Sequence, residues 1–260
     1  MQAWRARLGF LIPSQNPTVE REMVRLLPEG VSAHYQRMVA RGPVGTLENL
    51  QARAASHLAN MDETVEMIAN VEPDVIVLAH TATSYALGRE GEAKLAERIE
   101  TMTGIPFISA LGSAIAAFQT LGIRRVAVGT AYDKALTLRG KAVLEEHGIE
   151  VVAAECLLDV RSIFEESERR VYGLARSVDC EAAEAVFLSG VGLPTVSLLG
   201  ALEADLDKPV MSSVSAMTWN ALRIAGVATP VAGFGRLLAE ARYRPPSARR
   251  RLGNTRAPRS

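Results

Sequence analysis

The sequence predicts an α/β protein made of two similar lobes with parallel sheets, and two observations support this. First, short apolar runs such as "DVIVLA", "RVAVG" and "EAVFLS" alternate with longer segments whose apolar residues have helical spacing. This alternation is typical of parallel sheets covered by helices on both faces. Second, the order of these segments occurs twice along the 260 residues. We interpret the repetition as a duplication about a pseudo-twofold axis.

Each expected element follows from its pattern, taken in chain order. Short apolar runs bounded by turn residues predict strands, and longer stretches with apolar residues three or four apart predict helices. The expected strands are residues 8–12, 74–79, 105–109, 125–129, 149–155, 184–189 and 208–213. The expected helices include residues 18–27, 47–71, 92–102 and 134–148.

Three pairs of segments carry the internal repeat. They are 7–16 with 124–133, 72–84 with 181–194, and 104–123 with 207–227. We therefore expect one lobe from residues 1–112 plus about 220–241 and a second lobe from 113–219. Ligands of parallel sheets bind beyond the carboxyl ends of the strands, so the site is expected in the cleft between the lobes.

Composition narrows the class of protein further. Positive and negative side chains balance, yet the segment 242–260 carries seven arginines and no acid, which predicts a basic, disordered tail. No apolar run is long enough for a membrane span or a signal peptide, so we expect a cytoplasmic protein. Two cysteines, Cys156 and Cys180, form no metal-binding or disulfide pattern and are interpreted as buried small hydrophobic residues. Nucleic-acid binding is not expected.

Polar loops follow three of the predicted strands. In the first, Asn16 precedes Pro17 at the start of a helix, so its amide either caps that helix or helps to bind an anion. The second loop, "HTATS", places His80 and Thr81 directly after a buried strand, where hydroxyl and N–H groups converge on an oxyanion. The third, "SGVGLPT", lets a ligand approach the backbone at Gly190. By the repeat, His80 and Gly190 are equivalent positions.

Four segments, "IPSQNPTVEREM", "YQRM", "GTAYD" and "SGVGLPT", have an order and spacing that resemble a known group of enzymes. The resemblance is to the maleate cis–trans isomerases and arylmalonate decarboxylases of the aspartate/glutamate racemase superfamily, and it extends from about Leu8 to Val227. It implies a two-lobed fold and a site between the lobes with no cofactor and no metal. It also implies a small carboxylate as substrate, with Asn16, Thr81 and Tyr132 at carboxylate- or oxyanion-binding positions.

The chain departs from this group at its cysteines. Isomerases of the group use one cysteine from each lobe and the decarboxylases keep only the second, whereas here His80 and Gly190 stand at the two positions. Imidazole is a competent acid, base or nucleophile near neutral pH. We therefore predict His80 as the catalytic residue, with a structural, hydrogen-bonded histidine as the alternative. His34, His57 and His147 are interpreted as surface residues.

Together these features predict a cofactor-independent enzyme acting on a small mono- or dicarboxylate through an enediolate-like intermediate. A decarboxylase or other lyase is favoured, and the alternatives are a cis–trans isomerase that uses His80 in place of cysteine and a non-catalytic carboxylate-binding protein. No membrane or metal partner is expected, and a homo-oligomer is left open. The expected substrate-binding residues are Asn16, Thr81, Tyr132, Gly190, Val191 and Gly192.

Overall fold

The structure is a computed structural model that describes residues 4–40 and 50–239. The strands are β1 (Ala6–Pro13), β2 (Val31–Met38), β3 (Val75–Leu78), β4 (Phe107–Ser109), β5 (Arg125–Thr130), β6 (Glu150–Cys156), β7 (Ala185–Ser189) and β8 (Val210–Ser212). The helices are α1 (Thr18–Met23), α2 (Leu50–Ala59), α3 (Met61–Ala69), α4 (Thr81–Thr103), α5 (Ala110–Leu121), α6 (Lys134–Glu146), α7 (Glu168–Val178), α8 (Leu199–Leu206), α9 (Ser213–Ile224) and α10 (Arg236–Ala239). The Arg-rich tail 242–260 lies outside the described residues.

The strands form two four-stranded sheets with the same order, β2-β1-β3-β4 and β6-β5-β7-β8. Every strand pair is parallel. The central strands β3 and β7 are buried along their whole length, because helices cover both faces of a parallel sheet. The predicted fold class, two similar parallel lobes, is confirmed.

The two lobes meet through equivalent helices and equivalent strand ends. Helices α5 and α9, which follow β4 and β8, pack against each other, and α9 also contacts β1 and β3 of the first sheet. The loops at the carboxyl ends of β1, β3 and β7 are joined by the hydrogen bonds described below. The proposed lobe boundaries near residues 112 and 219 stay a prediction.

Two elements differ from the sequence prediction. Strand β2 was not expected, because polar residues such as His34 and Arg37 interrupt its apolar pattern. Among the described strands it pairs with β1 alone and lies at the edge of the sheet. The helix expected over residues 47–71 is divided in its described part into α2 and α3. The division falls at Asn60, whose backbone is non-helical and whose Nδ2 donates to the Ser56 carbonyl at 2.8 Å. The break lets α3 pack on the first sheet while α2 packs on α4.

Candidate active site

Asn16 joins the first loop to the third loop across the two lobes. Its Oδ1 accepts hydrogen bonds from the backbone N–H groups of Thr18 at 2.8 Å and Val19 at 3.0 Å, at the start of α1. Its Nδ2 donates to the Val191 carbonyl at 3.2 Å. The side-chain oxygen of Asn16 therefore caps α1, as one of the two interpretations of the sequence expected. The second Nδ2 hydrogen of the buried amide is used by none of the hydrogen bonds among the described residues.

Glu22 on α1 makes a second link to the third loop, which the sequence did not reveal. Its carboxylate accepts from the Thr195 N–H at 2.8 Å, from the Thr195 hydroxyl at 3.1 Å and from the Val196 N–H at 3.1 Å. Burial raises the pKa of Glu22, and these donors oppose the rise. Because the carboxylate is occupied by the backbone of the other lobe, its role is to hold the third loop.

Ser213 connects Thr81 with Gly190 and completes a cluster of small polar groups. The Thr81 hydroxyl donates to Ser213 Oγ at 3.2 Å, and the Gly190 N–H donates to the same oxygen at 3.0 Å. The Tyr132 hydroxyl hydrogen-bonds the Thr81 side chain. Burial, followed by the nearby phenol of Tyr85, raises the pKa of Tyr132, which stays a neutral donor. The structure thus brings Thr81, Tyr132 and Gly190 together.

Gly190 and Gly192 need to be glycines in this loop for different reasons. Gly190 has φ +127°, and a Cβ there would lie 3.3 Å from both the Tyr132 hydroxyl oxygen and Ile163 Cδ1. A Cβ on Gly192 would lie 2.8 Å from a ring carbon of Phe164. A short 3-10 turn, Ile163–Glu165, therefore covers the third loop. Val191 contributes its carbonyl to Asn16, while its side chain is buried in the core.

Tyr85 on α4 makes another link between the lobes. Its hydroxyl lies 2.5 Å from Ser189 Oγ at the end of β7, and its ring packs edge-on against that of Tyr132. A Cβ on Gly140 would lie 2.5 Å from the Tyr85 ring, so only glycine at that position lets the ring pass α6. Tyr85 was missed as a site residue because its partners come from the second lobe.

His80 occupies the position just before α4 and is buried, with 7 % of its surface exposed. Its Nδ1 lies 2.7 Å from Thr83 Oγ1, and none of the hydrogen bonds among the described residues involves Nε2. Burial lowers the pKa of His80 well below its usual value, and His57 and Arg53 lower it further. The imidazole is therefore neutral near neutral pH.

His57 is buried, so its interpretation as a surface residue is wrong. It is 2 % exposed on α2, and its ring lies edge-on to that of His80, with the centroids 4.9 Å apart. Burial, followed by the charge of Arg53, lowers the pKa of His57 to about 4. His34 lies in β2 and His147 follows α6, and both are partly buried.

The cysteines lie away from these contacts. Cys156 ends β6, Cys180 follows α7, and both are free and half-buried rather than buried as expected. Within residues 4–40 and 50–239, no group of three His, Cys, Asp or Glu side chains is placed to hold a metal ion. Over the same ranges, none of the helices is long and apolar enough to cross a membrane.

Two parallel lobes of identical strand order, with polar loops meeting at the strand ends, define the aspartate/glutamate racemase-like class of fold. Within that class the chain belongs to the arylmalonate decarboxylase family, whose sequence pattern matches residues 8–238.

Individual relatives include both isomerases and a decarboxylase. The maleate isomerase of Nocardia farcinica is 29 % identical over 245 residues, covering 90 % of this chain and 96 % of the relative. The arylmalonate decarboxylase of Bordetella bronchiseptica is 29 % identical over 177 residues, 64 % of this chain and 71 % of the relative. A solved structure of a cysteine-to-serine variant of the Nocardia farcinica maleate cis–trans isomerase, with a covalently bound succinylcysteine intermediate, superposes with a TM-score of 0.81. It is 26 % identical, and the match covers 90 % of this chain and 98 % of that one.

Proposed function

We propose that the protein is a cofactor-independent enzyme that acts on a small carboxylate, with His80 as the catalytic residue and the hydrogen-bonding loops as the carboxylate site. The observation that supports this most strongly is the buried imidazole of His80, adjacent in the chain to Thr81 in the cluster of Tyr132, Gly190 and Ser213. The Ser213 hydroxyl, which accepts from Thr81 and Gly190, keeps its own hydrogen to stabilise the charge of an enediolate-like intermediate.

The leading reaction is cis–trans isomerisation by addition and elimination. When the Nδ1 proton of His80 is donated to Thr83 Oγ1, Nε2 carries a lone pair that can form a C–N bond to one alkene carbon. The π electron pair then moves into the adjacent carboxylate as an enediolate. The former C=C bond is then a single bond and can rotate. Return of the electron pair and cleavage of the C–N bond release the other alkene isomer with no net change in protons.

Two findings support isomerisation at least as well as the decarboxylation favoured by the sequence. Maleate isomerase relatives match 90 % of the chain, against 64 % for the arylmalonate decarboxylase. A histidine that is neutral at rest also suits nucleophilic attack better than proton donation.

Decarboxylation is the second candidate, supported by the family to which the chain belongs. In that reaction the bond between the α-carbon and one carboxylate carbon breaks, and that carboxylate leaves as carbon dioxide. The electron pair of the broken bond stays on the remaining carboxylate unit as an enediolate. A proton taken from solvent through His80 then reaches the α-carbon on one face only, because Gly190 supplies no side chain at the equivalent position.

Proton NMR in D₂O tests both reactions with wild type, His80→Ala and the control His34→Ala. His34 bonds Ser32 on β2 and takes part in none of the contacts above. The substrates are maleate, fumarate, 2-substituted malonates and 2-hydroxy acids. We expect turnover that falls by at least about 10²-fold in His80→Ala and is unchanged in the control.

The products distinguish the candidates. Fumarate formed from maleate without deuterium at carbon supports addition–elimination, while loss of carbon dioxide with one deuterium at the α-carbon supports decarboxylation. Equal turnover in wild type and His80→Ala would show that His80 is structural. Saturable binding without turnover of any compound would make the protein a carboxylate-binding protein instead.

A further inference from the structure

A cavity of about 430 Å³ lies between α4, the end of β4, the start of α5, the end of α6 and α9. Cavities of this size bind small molecules. Of the residues that the structure describes, those lining it do not include the donors around Ser213. Its wall is apolar at Leu95 and Phe107 and carries polar groups at Glu92 and Asn220. It is therefore separate from the candidate active site.

Helix α4 brings two residues of opposite charge to this cavity. The helix is broken at Gly88, whose φ of +65° and ψ of −177° are a combination adopted essentially by glycine alone. Just after the break, Arg89 and Glu92 are three residues apart, so they lie on the same face of the helix. Both line the cavity, yet within the described part of the chain they form no ion pair with each other. The Arg89 guanidinium instead donates to the Glu146 carbonyl at 3.0 Å.

The carboxylate of Glu92 lacks a positive partner among the described residues. Burial raises its pKa, the hydroxyls of Ser109 and Ser84 oppose the rise, and none of the described charged groups acts on it. Its Oε1 is buried without a hydrogen bond to these residues. Taking a carboxylate out of water is costly unless a positive charge is paired with it. A ligand in the cavity can supply that charge.

The remaining cations near Glu92 in the chain are paired with other acids. On α4, Lys94 pairs with Glu90 at 2.6 Å, and Arg98 pairs with Asp62 at 2.6 Å. The side chains of both pairs are exposed to solvent and lie outside the wall of the cavity. Strand β4 and helix α5, which form the adjacent wall, contain no charged residue in their described sequences.

The wall formed by α9 and the end of α6 adds a neutral acceptor. Asn220 is 5 % exposed, and its Nδ2 donates to Ser113 Oγ at 3.2 Å. Its side-chain oxygen accepts none of the hydrogen bonds among the described residues. Beside it, burial and then the charge of Arg89 lower the pKa of His147, so this imidazole adds no positive charge near neutral pH.

We propose that this cavity binds a small molecule with a protonated primary amine and a short aliphatic chain. The ammonium group, which has three donors and no acceptor, donates to the Glu92 carboxylate and to the side-chain oxygen of Asn220. The chain packs against Leu95 and Phe107. The ligand thereby supplies the positive charge that the described surroundings of Glu92 lack. The inference does not rest on the proposed function.

NMR titration of the isotope-labelled protein with n-butylammonium near neutral pH tests the inference. This amine is protonated there, as a lysine side chain is. Compared at equal ionic strength, 1-butanol has the chain without the charge, butyrate has the opposite charge, and potassium chloride has the charge without the chain. We expect butylammonium to shift the backbone signals of Glu92, Gly112 and Asn220 and to bind at least about tenfold more tightly than the other three compounds.

Three variants locate the binding. Glu92→Gln keeps the shape of the side chain and removes its charge, so the dissociation constant for butylammonium should increase at least about tenfold. Ala96→Leu adds bulk to the cavity wall from a partly exposed position and should also weaken binding. Glu90→Gln removes an exposed charge of the same helix outside the cavity. It is the matched control and should bind as wild type does.

Each other outcome would overturn the inference. These outcomes are no shift at the lining residues, equal affinity in wild type and folded Glu92→Gln, and shifts confined to Thr81 and Gly190 in the candidate active site. Equal affinity for potassium chloride would indicate a site for a bare cation, and equal affinity for 1-butanol would indicate an apolar cavity without charge recognition. Because none of these measurements uses turnover, the inference and the proposed function can fail separately.

Discussion

The loops after β7 and β3 hold equivalent positions in the two lobes but differ in how their polar groups are satisfied. After β7, the Gly190 N–H, the Val191 carbonyl and the Thr195 N–H all have partners, supplied by α1, its preceding loop and α9. The loop after β3 is instead contacted by His57 of α2, whose ring packs against His80 and whose nitrogens have no partner among the described residues. The comparison separates two roles, because the bonded groups hold the third loop in place while the nitrogens of His57 do not contribute hydrogen bonds to it.

Removing the side chain that accepts hydrogen bonds from the third loop should have the largest effect on stability. Glu22→Ala leaves three buried donors on Thr195 and Val196 without an acceptor, and we expect it to lower the free energy of unfolding by about 4 kcal/mol. Urea denaturation measures the change. Glu20→Ala, which removes an exposed ion pair with Arg37, is the control and should cost at most about 1 kcal/mol. Similar losses in the two variants would contradict the difference in roles.

Removing the buried imidazole of His57 should change how the free energy of unfolding depends on pH. The folded protein binds a proton at His57 with a pKa of about 4, against an ordinary value of 6.5. The unfolded chain therefore binds more protons between these values, and stability falls as pH drops from about 6.5 to about 4. His57→Phe should remove up to about 3 kcal/mol of this loss.

The measurement is the free energy of unfolding of wild type and His57→Phe at several pH values across that window. Above it, where His57 is neutral in both states, the variant should be no less stable than wild type, because a ring replaces an unsatisfied polar group. Parallel pH profiles for the two proteins would argue against a buried, neutral His57.

Substituting the glycine at the end of β7 should have the smallest of the three effects. Gly190→Ala places a Cβ at φ +127° and 3.3 Å from Tyr132 and Ile163, and we expect a loss of about 2 kcal/mol. Gly104→Ala is the matched control, because Gly104 also has positive φ, +67°, with no atom near the added Cβ. Its cost should be about 1 kcal/mol, measured by thermal unfolding. Equal costs would show that the contacts around Gly190 can adjust.

Most strands and helices can be predicted from the local pattern of apolar residues, and the elements that cannot be predicted have a physical reason. Buried central strands such as β3 and β7 are continuous apolar runs, so the sequence indicates them directly. Strand β2 lies at an edge and is only partly buried, so its residues alternate irregularly and its pairing with β1 has no local signal. The break at Asn60 depends on where α2 and α3 must pack, which is a tertiary property.

Residues of the candidate site were predictable where they follow a buried strand and not where they come from another loop or helix. His80 and Gly190 are found by that rule. Glu22 and His57 are not, because their importance depends on which loop or helix of the fold faces them. One signal was present for His57, which falls on the buried stripe of Ala54 and Met61 along the α2–α3 segment. A polar residue at such a buried position costs stability unless it has a hydrogen-bond partner, so it can indicate a functional role.

The bonds from the first loop to the third also affect when the site forms during folding. Asn16 and Val191 are 175 residues apart in the chain, and Glu22 and Thr195 are 173 apart. Closing such distant contacts is slow, since nearly the whole chain must be ordered before they stabilise anything. A chain emerging from the ribosome can build the first sheet early, but it cannot hold the third loop in place until the second lobe has been synthesised. Activity should therefore be the last property that the refolding protein regains.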